Sequence, residues 1–187
     1  LIQITLNGSA GQSLGAFLSK SISLKIFGDA NDYVAKGLSG GKIVVVPSKT
    51  NRLKTKENTI IGNTVLYGAT SGKLFAAGKA GERFAVRNSG GTAIVEGCDS
   101  NGCEYMTGGN IIILGSIGDN FGAGMTGGMA FIYDPENTFE NFVNPASITW
   151  QKLETKYWKE KLKSLIQEHL QETDSVIAKK ILNDFEN

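Results

Sequence analysis

Residues 89–97 read SGGTAIVEG, residues 107–115 TGGNIIILG and residues 126–134 TGGMAFIYD. Each begins with a hydroxyl residue and a glycine pair, then runs into aliphatic or aromatic residues. Two more stretches line up upstream: SGGKIVVV at 39–46 and SGKLFAAG at 71–78. Their first glycines are Gly40, Gly72, Gly90, Gly108 and Gly127. Gly72 to Gly90 is 18 residues, Gly90 to Gly108 is 18, and Gly108 to Gly127 is 19. Gly40 to Gly72 is 32, but the 12-residue polar stretch PSKTNRLKTKEN at 47–58 lies between them, and without it the spacing is 20. Ser21–Phe27 (SISLKIF) sits about one period before KIVVV and lacks the glycine pair. A period of this size marks a repeat architecture.

Each unit has a second half, opened by glycine and a polar residue: Gly28-Asp29, Gly62-Asn63, Gly81-Glu82, Gly118-Asp119. Tyr33, Val65, Phe84 and Phe121 follow as its apolar members. The unit therefore reads strand, turn, strand, turn. It is too short for a βαβ unit, which needs about 30 residues. Glycines this close also disfavour helix. Short strands that circle once in about 20 residues and stack on the next circle form a parallel β-helix. An antiparallel sandwich of hairpins is the competing architecture and predicts alternation with two-residue loops. Continuous runs such as IVVV and IIIL suit strands buried on both faces, which favours parallel stacking. Gly28, Gly37, Gly40, Gly41, Gly72, Gly90, Gly91, Gly108, Gly109, Gly127 and Gly128 are the expected structural turn glycines. They would supply positive φ and allow close stacking.

All 24 glycines fall between Gly8 and Gly128. From Trp150 the composition switches. Leu153, Tyr157, Leu162, Leu165, Ile166, His169 and Leu170 follow helical spacing. Thr173-Asp174-Ser175 predicts a break and a new N-cap, followed by a short helix presenting Val176, Ile177, Lys180, Ile181 and Phe185. Basic and acidic residues balance in this tail. The expected division is a β-helix over 1–149, interrupted at 47–58, and a helical extension over 150–187. The helical stripe must dock on the solenoid's side, on its open end or on another domain. Capping is expected, since solenoid ends expose unpaired strand edges.

The rest of the chain offers little chemistry. Its 187 residues are 41% hydrophobic and 20% charged, with a formal net charge of +1. That leaves no basic footprint for nucleic acid and no polybasic pull toward a membrane. No apolar run approaches the roughly 20 residues of a bilayer span, and no signal peptide is evident. Leu1 in place of Met suggests a piece of a longer chain. Cys98 and Cys103, spaced C-x4-C, read as free, partly buried thiols, with a metal or redox role as the alternative. Gly122-Ala-Gly124-Met-Thr-Gly127 fits G-x-G-x-x-G, but a dinucleotide site needs a strand before it and a helix after it. GATSGK at 68–73 would need glycine at Tyr67 to be a phosphate loop. Asn7-Gly-Ser9 is a glycosylation sequon that matters only in a secreted chain. Asp29, Asp32, Glu82, Glu96, Asp99, Glu104 and Asp119 fall mostly at turns, where they brace backbone; a carboxylate pair for acid–base work is the alternative. Arg83 and Arg87 read as turn or interface residues, with anion binding as the alternative. His169 reads as a core or interface residue. Catalytic, cofactor-binding and metal-binding residues are expected to be absent from this chain.

Several long stretches carry a family resemblance: GSAGQSLGAF (8–17), GDANDYVAKGLSGGKIVV (28–45), IIGNTVLYGATSGKLFAAGKAGERFAVRNSGG (60–91), GCEYMTGG (102–109) and NFGAGMTGGMAFIYD (120–134). With the tail LIQEHLQETDSVIAKKIL, they resemble the C-terminal glycine-repeat (GXGXG) domain of the glutamate synthase large subunit. A smaller relative, the glycine-repeat component of formylmethanofuran dehydrogenase, shares the repeats without the YGATSG–AGERF–RNSGG–GCEYMTGG series. Ala35 departs from the family pattern, which has glycine there; a methyl group fits unless that position requires positive φ.

The resemblance implies a right-handed β-helix in a cytoplasmic enzyme that makes two glutamates from glutamine and 2-oxoglutarate. In that family an amidotransferase domain with an N-terminal cysteine nucleophile releases ammonia. The ammonia travels to an FMN-bearing synthase barrel with an iron–sulfur cluster, supplied with electrons by NADPH or ferredoxin. This chain would hold none of those cofactors. It would be a non-catalytic scaffold between the amidotransferase and FMN domains, with the small NADPH-oxidising subunit as a further partner. Its docking surface would be apolar and extensive, so an isolated piece should self-associate. A stand-alone β-helix subunit of a complex such as formylmethanofuran dehydrogenase and an independent β-helix enzyme are the alternatives.

Overall fold

A computed structural model describes residues 1–48 and 57–185 of the 187-residue chain. The nine strands are β1 (Ile2–Ala10), β2 (Ile22–Ala30), β3 (Ser39–Val46), β4 (Thr59–Ile61), β5 (Ser71–Ala76), β6 (Lys79–Ala80), β7 (Ser89–Val95), β8 (Thr107–Ile113) and β9 (Gly127–Ile132). Two helices follow, α1 (Lys156–Thr173) and α2 (Val176–Asn183). Every ladder is parallel, and the long strands stack in the order β1, β2, β3, β5, β7, β8, β9. The molecule is a β-solenoid, as the repeat period predicts. The 47–58 stretch falls between β3 and β4 in sequence, and residues 49–56 of it lie outside the described residues.

Each coil has three sides. The long strands form the first. A short second side pairs β2 with β4 at Ala30–Ile61 and β4 with β6, and ends in the bridge Ala80–Cys98. The third side, 32–38 and its equivalents, is a run of turns and not the second full strand that the sequence predicts.

Ladder register sorts the first side into columns. Leu24, Ile43, Leu74, Ala93 and Ile111 stack pointing inward and make the solenoid core with Ile26, Val45 and Ala76. Val44, Phe75, Ile94 and Ile112 stack pointing outward. Outward apolar residues need a cover, because each fully buried large side chain is worth about 1.5–3 kcal/mol. Leu162 and Ile166 of α1, with Ala178 and Ile181 of α2, supply it.

The helices therefore lie along the solenoid's side, and the expectation that they cap an end is corrected. The outward columns are too apolar to face water, so the stripe goes there. Several positions on the predicted helical faces are also corrected: Lys180 is exposed on α2, and Leu153 lies before α1 begins. Tyr157 is 62% exposed, and its neighbour Trp158 instead meets Phe131, ring centroids 5.8 Å apart. Val176 is 79% exposed, at the first residue of α2, while Ala178 turns inward. The break falls as predicted: Asp174 takes a left-handed conformation, and the Ser175 hydroxyl accepts the Ala178 N–H.

The two solenoid ends differ. A segment after β9 covers the last coil: Phe121 bridges Val143 and stacks edge-on to Phe139 at 6.2 Å, and Ile148 lies over Gly122. At the first coil, β1 pairs among the described residues only with β2, and Ile2, Ile4 and Leu6 are exposed.

Candidate functional site

The glycine pairs sit at strand entries, where coil-to-coil register shifts at Ser39/Lys42, Ser89/Thr92 and Thr107/Asn110. Backbones approach closely there. A Cβ at Gly90 would lie 2.0 Å from the Thr70 carbonyl oxygen, one at Gly108 2.3 Å from Ser89 O, and one at Gly127 2.4 Å from Thr107 O. Gly90 has no positive φ, so its requirement is space between coils. The hydroxyl residues beside the pairs stitch the same seam. Ser89 Oγ donates to Ala69 O at 3.1 Å and Thr70 Oγ1 to Leu38 O at 3.4 Å.

Buried Asn88 is a residue that sequence reasoning passed over. Its Nδ2 donates to Gly91 O (3.0 Å) and to Gly108 O (3.2 Å) in the next coil, and its Oδ1 accepts the Gly91 N–H (2.9 Å). It ties two glycine pairs together. Its place just before the pair was the available signal.

Gly40, Gly72, Gly109 and Gly128 do take positive φ, whereas Gly41, Gly91, Gly108 and Gly127 do not. Positive φ recurs in greater number on the turn side. Three columns run through six coils: Ser13, Tyr33, Thr64, Arg83, Asn101 and Asn120; Gly15, Ala35, Leu66, Ala85, Cys103 and Gly122; Phe17, Gly37, Gly68, Arg87, Tyr105 and Gly124. Their φ values span 53° to 71°. Most are not glycine, and each such residue costs about 1–2 kcal/mol. Backbone hydrogen bonds between coils offset that cost. Arg83 N–H donates forward to Ser100 O, Ala85 N–H back to Val65 O, and Arg87 N–H forward to Glu104 O, each at 2.9 Å. The same alternation recurs at Asn101, Cys103 and Tyr105. Ala35 lies in the middle column with φ of 60°. Its methyl group is accommodated at a position that does require positive φ.

Val34, Val65, Phe84 and Phe121, each one position after the first column, are buried, as are Ala35, Leu66, Ala85 and Cys103 of the middle column. Tyr33, predicted to share that role, is partly exposed; Val34 takes it. The carboxylates brace backbone or pair with cations. Asp32 Oδ1 accepts the Asn63 N–H at 2.8 Å, as Asn63 Oδ1 accepts that of Glu82 at 2.9 Å. Lys79–Asp99 is 3.2 Å and Arg83–Glu104 3.4 Å. Arg87 lies over the Tyr105 ring at 6.0 Å. The two arginines therefore have partners within the turn side.

Burial governs the titratable groups inside. It pushes the Cys98 thiol up to about 12, helped by Asp99, and raises the Cys103 thiol as well, with Cys98 adding to the effect. Both thiols are free and buried, and being protonated they are poor nucleophiles. Burial pushes His169 down to about 3. Its ring lies 5.9 Å from Phe75 under α1, and neither ring nitrogen has a hydrogen-bond partner. Glu96 is buried at the end of β7 and accepts a 2.6 Å hydrogen bond from Ser175 Oγ, linking solenoid and helices. Lys42 pairs with Glu172, and Lys73 with Glu168 at 2.6 Å, along the same seam.

Among the described residues, no group of three or more His, Cys, Asp or Glu side chains is placed to hold a metal. No helix among them is long and apolar enough to cross a membrane. The Gly122–Gly127 stretch leads into β9 and not a helix, so it lacks the dinucleotide context. What the geometry offers is a continuous, hydrogen-bonded stack with helices fixed to one side.

Several known proteins are similar to nearly the whole of this chain. The NADPH glutamate synthase large chain of Azospirillum brasilense is 62% identical over 184 residues, covering 98% of this chain and 12% of the relative. The NADH glutamate synthase of Schizosaccharomyces pombe is 50% identical over 184 residues, covering 98% and 9%. The ferredoxin-dependent glutamate synthase of Pyropia yezoensis is 52% identical over 182 residues, covering 97% and 12%. The chain spans about a tenth of the length of the curated relatives it matches. A family model described as the GXGXG motif matches residues 1–187, and the chain belongs to the GXGXG motif family.

Proposed function

We propose that this chain is the solenoid domain of a glutamate synthase large chain and holds its amidotransferase and FMN synthase domains in fixed register. The carrying observation is the near-complete match of this chain to about a tenth of several such enzymes. The coil-to-coil ladder supports the reading physically. A body bonded through every coil deforms little, and transfer of a reactive intermediate between two sites depends on fixed geometry. The domain itself carries no catalytic group in this reading. FMN, the iron–sulfur cluster and the electron donor belong to other parts of the parent enzyme, and the small NADPH-oxidising subunit is a further partner.

The test uses the full-length enzyme carrying Leu162→Asp, which forces a charge between α1 and the solenoid. Glutamate formed and ammonia released are measured per glutamine consumed. The scaffold reading expects glutamine hydrolysis to continue while ammonia escapes and the yield drops below two glutamates per glutamine. An unchanged yield, with hydrogen–deuterium exchange confirming that α1 and α2 have come away from the strands, would contradict it. Flavin absorbance or glutaminase activity in the pure 187-residue chain would contradict it equally.

A further inference from the structure

The first coil is built like the others and left open. All nine residues of β1 pair with β2, from Ile2–Ile22 to Ala10–Ala30. Ile4 stacks on Leu24 and Leu6 on Ile26, in the inward columns. Yet Ile4 and Leu6 are 40% and 41% exposed, because no layer lies beneath them. Leu1, Ile2 and Phe17 extend the same apolar end. Among the described residues, nothing pairs with the strand's other hydrogen-bonding edge. Ile2 N–H donates to Ser21 O; by the alternation of a parallel ladder, the amides of Gln3, Thr5 and Asn7 point away from β2.

Edges meant for water usually carry lysine, proline, a bulge or an inward charge. Residues 1–10, LIQITLNGSA, have no charged residue and no proline, and the β1–β2 register shows no shift. The opposite end, by contrast, is covered by the chain's own Phe139, Val143 and Ile148.

We infer that this open end is covered by an extended, apolar-faced segment of the same polypeptide, contributed from outside residues 1–187. This rests on the domain reading above. One observation selects that occupant over a second copy: the matched relatives carry about nine-tenths of their length outside the region this chain covers. A tethered segment is in addition held at high effective concentration. The occupant supplies alternate apolar side chains over Ile2, Ile4 and Leu6, and backbone carbonyls to Gln3, Thr5 and Asn7.

The test is residue-resolved hydrogen–deuterium exchange on the natural full-length polypeptide. Covered, the Gln3, Thr5 and Asn7 amides exchange within about tenfold of Ile4 and Leu6, at any protein concentration. Exchange a hundredfold or more faster at those three positions overturns the inference. Protection that grows with protein concentration also overturns it and identifies a second copy as the occupant. A cysteine at the inward position, Ile4→Cys, gives an independent readout: resistance to maleimide in the folded enzyme supports coverage, and rapid labelling refutes it. Intact mass separates the two readings. A natural polypeptide near 20.0 kDa removes the domain reading along with this inference. A long polypeptide with fast edge amides removes this inference alone.

Discussion

On the strand side of one coil, Ile94 lies between Phe75 and Ile112 in parallel register. On the turn side, Ala85 holds φ at 60° and gives its N–H to Val65 O. Both sides satisfy their backbone through the neighbouring coils. The strand side does so with residues whose intrinsic preference is already extended. The turn side uses arginine, threonine, tyrosine and leucine in a conformation they disfavour. Coil stacking thus overrides local preference on one side and agrees with it on the other. Glycine is most constrained by space on the strand side, although its rarer talent, positive φ, is needed more on the turn side.

That contrast breaks most violently at Gly90. Gly90→Ala puts a methyl carbon 2.0 Å from a backbone oxygen, which only movement of the coil can relieve. The expected cost exceeds about 4 kcal/mol, seen as loss of the cooperative urea transition. Survival with a near-normal midpoint would show that the coils are not so tightly spaced.

The strand side's helical cover supplies the next largest effect, through pH. Folding lowers the affinity of His169 for a proton, taking it from 6.5 to about 3. The unfolded chain then binds more protons between those values, so this contribution to stability is complete above about 6.5 and is lost as pH falls toward 3. The slope is about 1.4 kcal/mol per pH unit within the window. His169→Leu should remove that slope, so the wild-type-minus-variant difference in urea midpoint changes steadily across pH 4–7. A difference that does not change with pH would mean the imidazole is not buried neutral.

Asn88→Ala strands the Gly91 N–H and Gly108 O and should cost about 2–4 kcal/mol, read by thermal unfolding. Ser175→Ala removes the N-cap of α2 and the partner of buried Glu96 together. About 1–2 kcal/mol is expected, with α1 and α2 exchanging faster than the strands. The smallest effect has the opposite sign. Thr64 is β-branched and held at φ 57°, so Thr64→Gly should stabilise by about 0.5–1 kcal/mol, strain relief exceeding the added unfolded-state entropy. A destabilisation there would mean that the turn side is less strained than its φ values imply.

The strand side is legible in the sequence because its pattern is local: IVVV, IIIL and the recurring glycine pairs specify both strand and spacing. The two helices are legible for the same reason, including the Ser175 cap. Their docking place is not, since runs such as IVVV and IIIL imply that both strand faces are buried without saying what covers the outer one. The turn side reads as strand because nothing in Thr64-Val65-Leu66 signals alternate positive φ. Only aligning the repeats column by column could show that Ala35, Leu66, Ala85 and Cys103 share one place.

The central claim is that the turn side hangs from both neighbouring coils by alternating hydrogen bonds. Through-hydrogen-bond NMR couplings between amide nitrogen and carbonyl carbon test it directly. The expected pattern is Arg83 to Ser100, Ala85 to Val65 and Arg87 to Glu104. Couplings confined to residues within 82–88, or a negative φ at Ala85, would contradict the account.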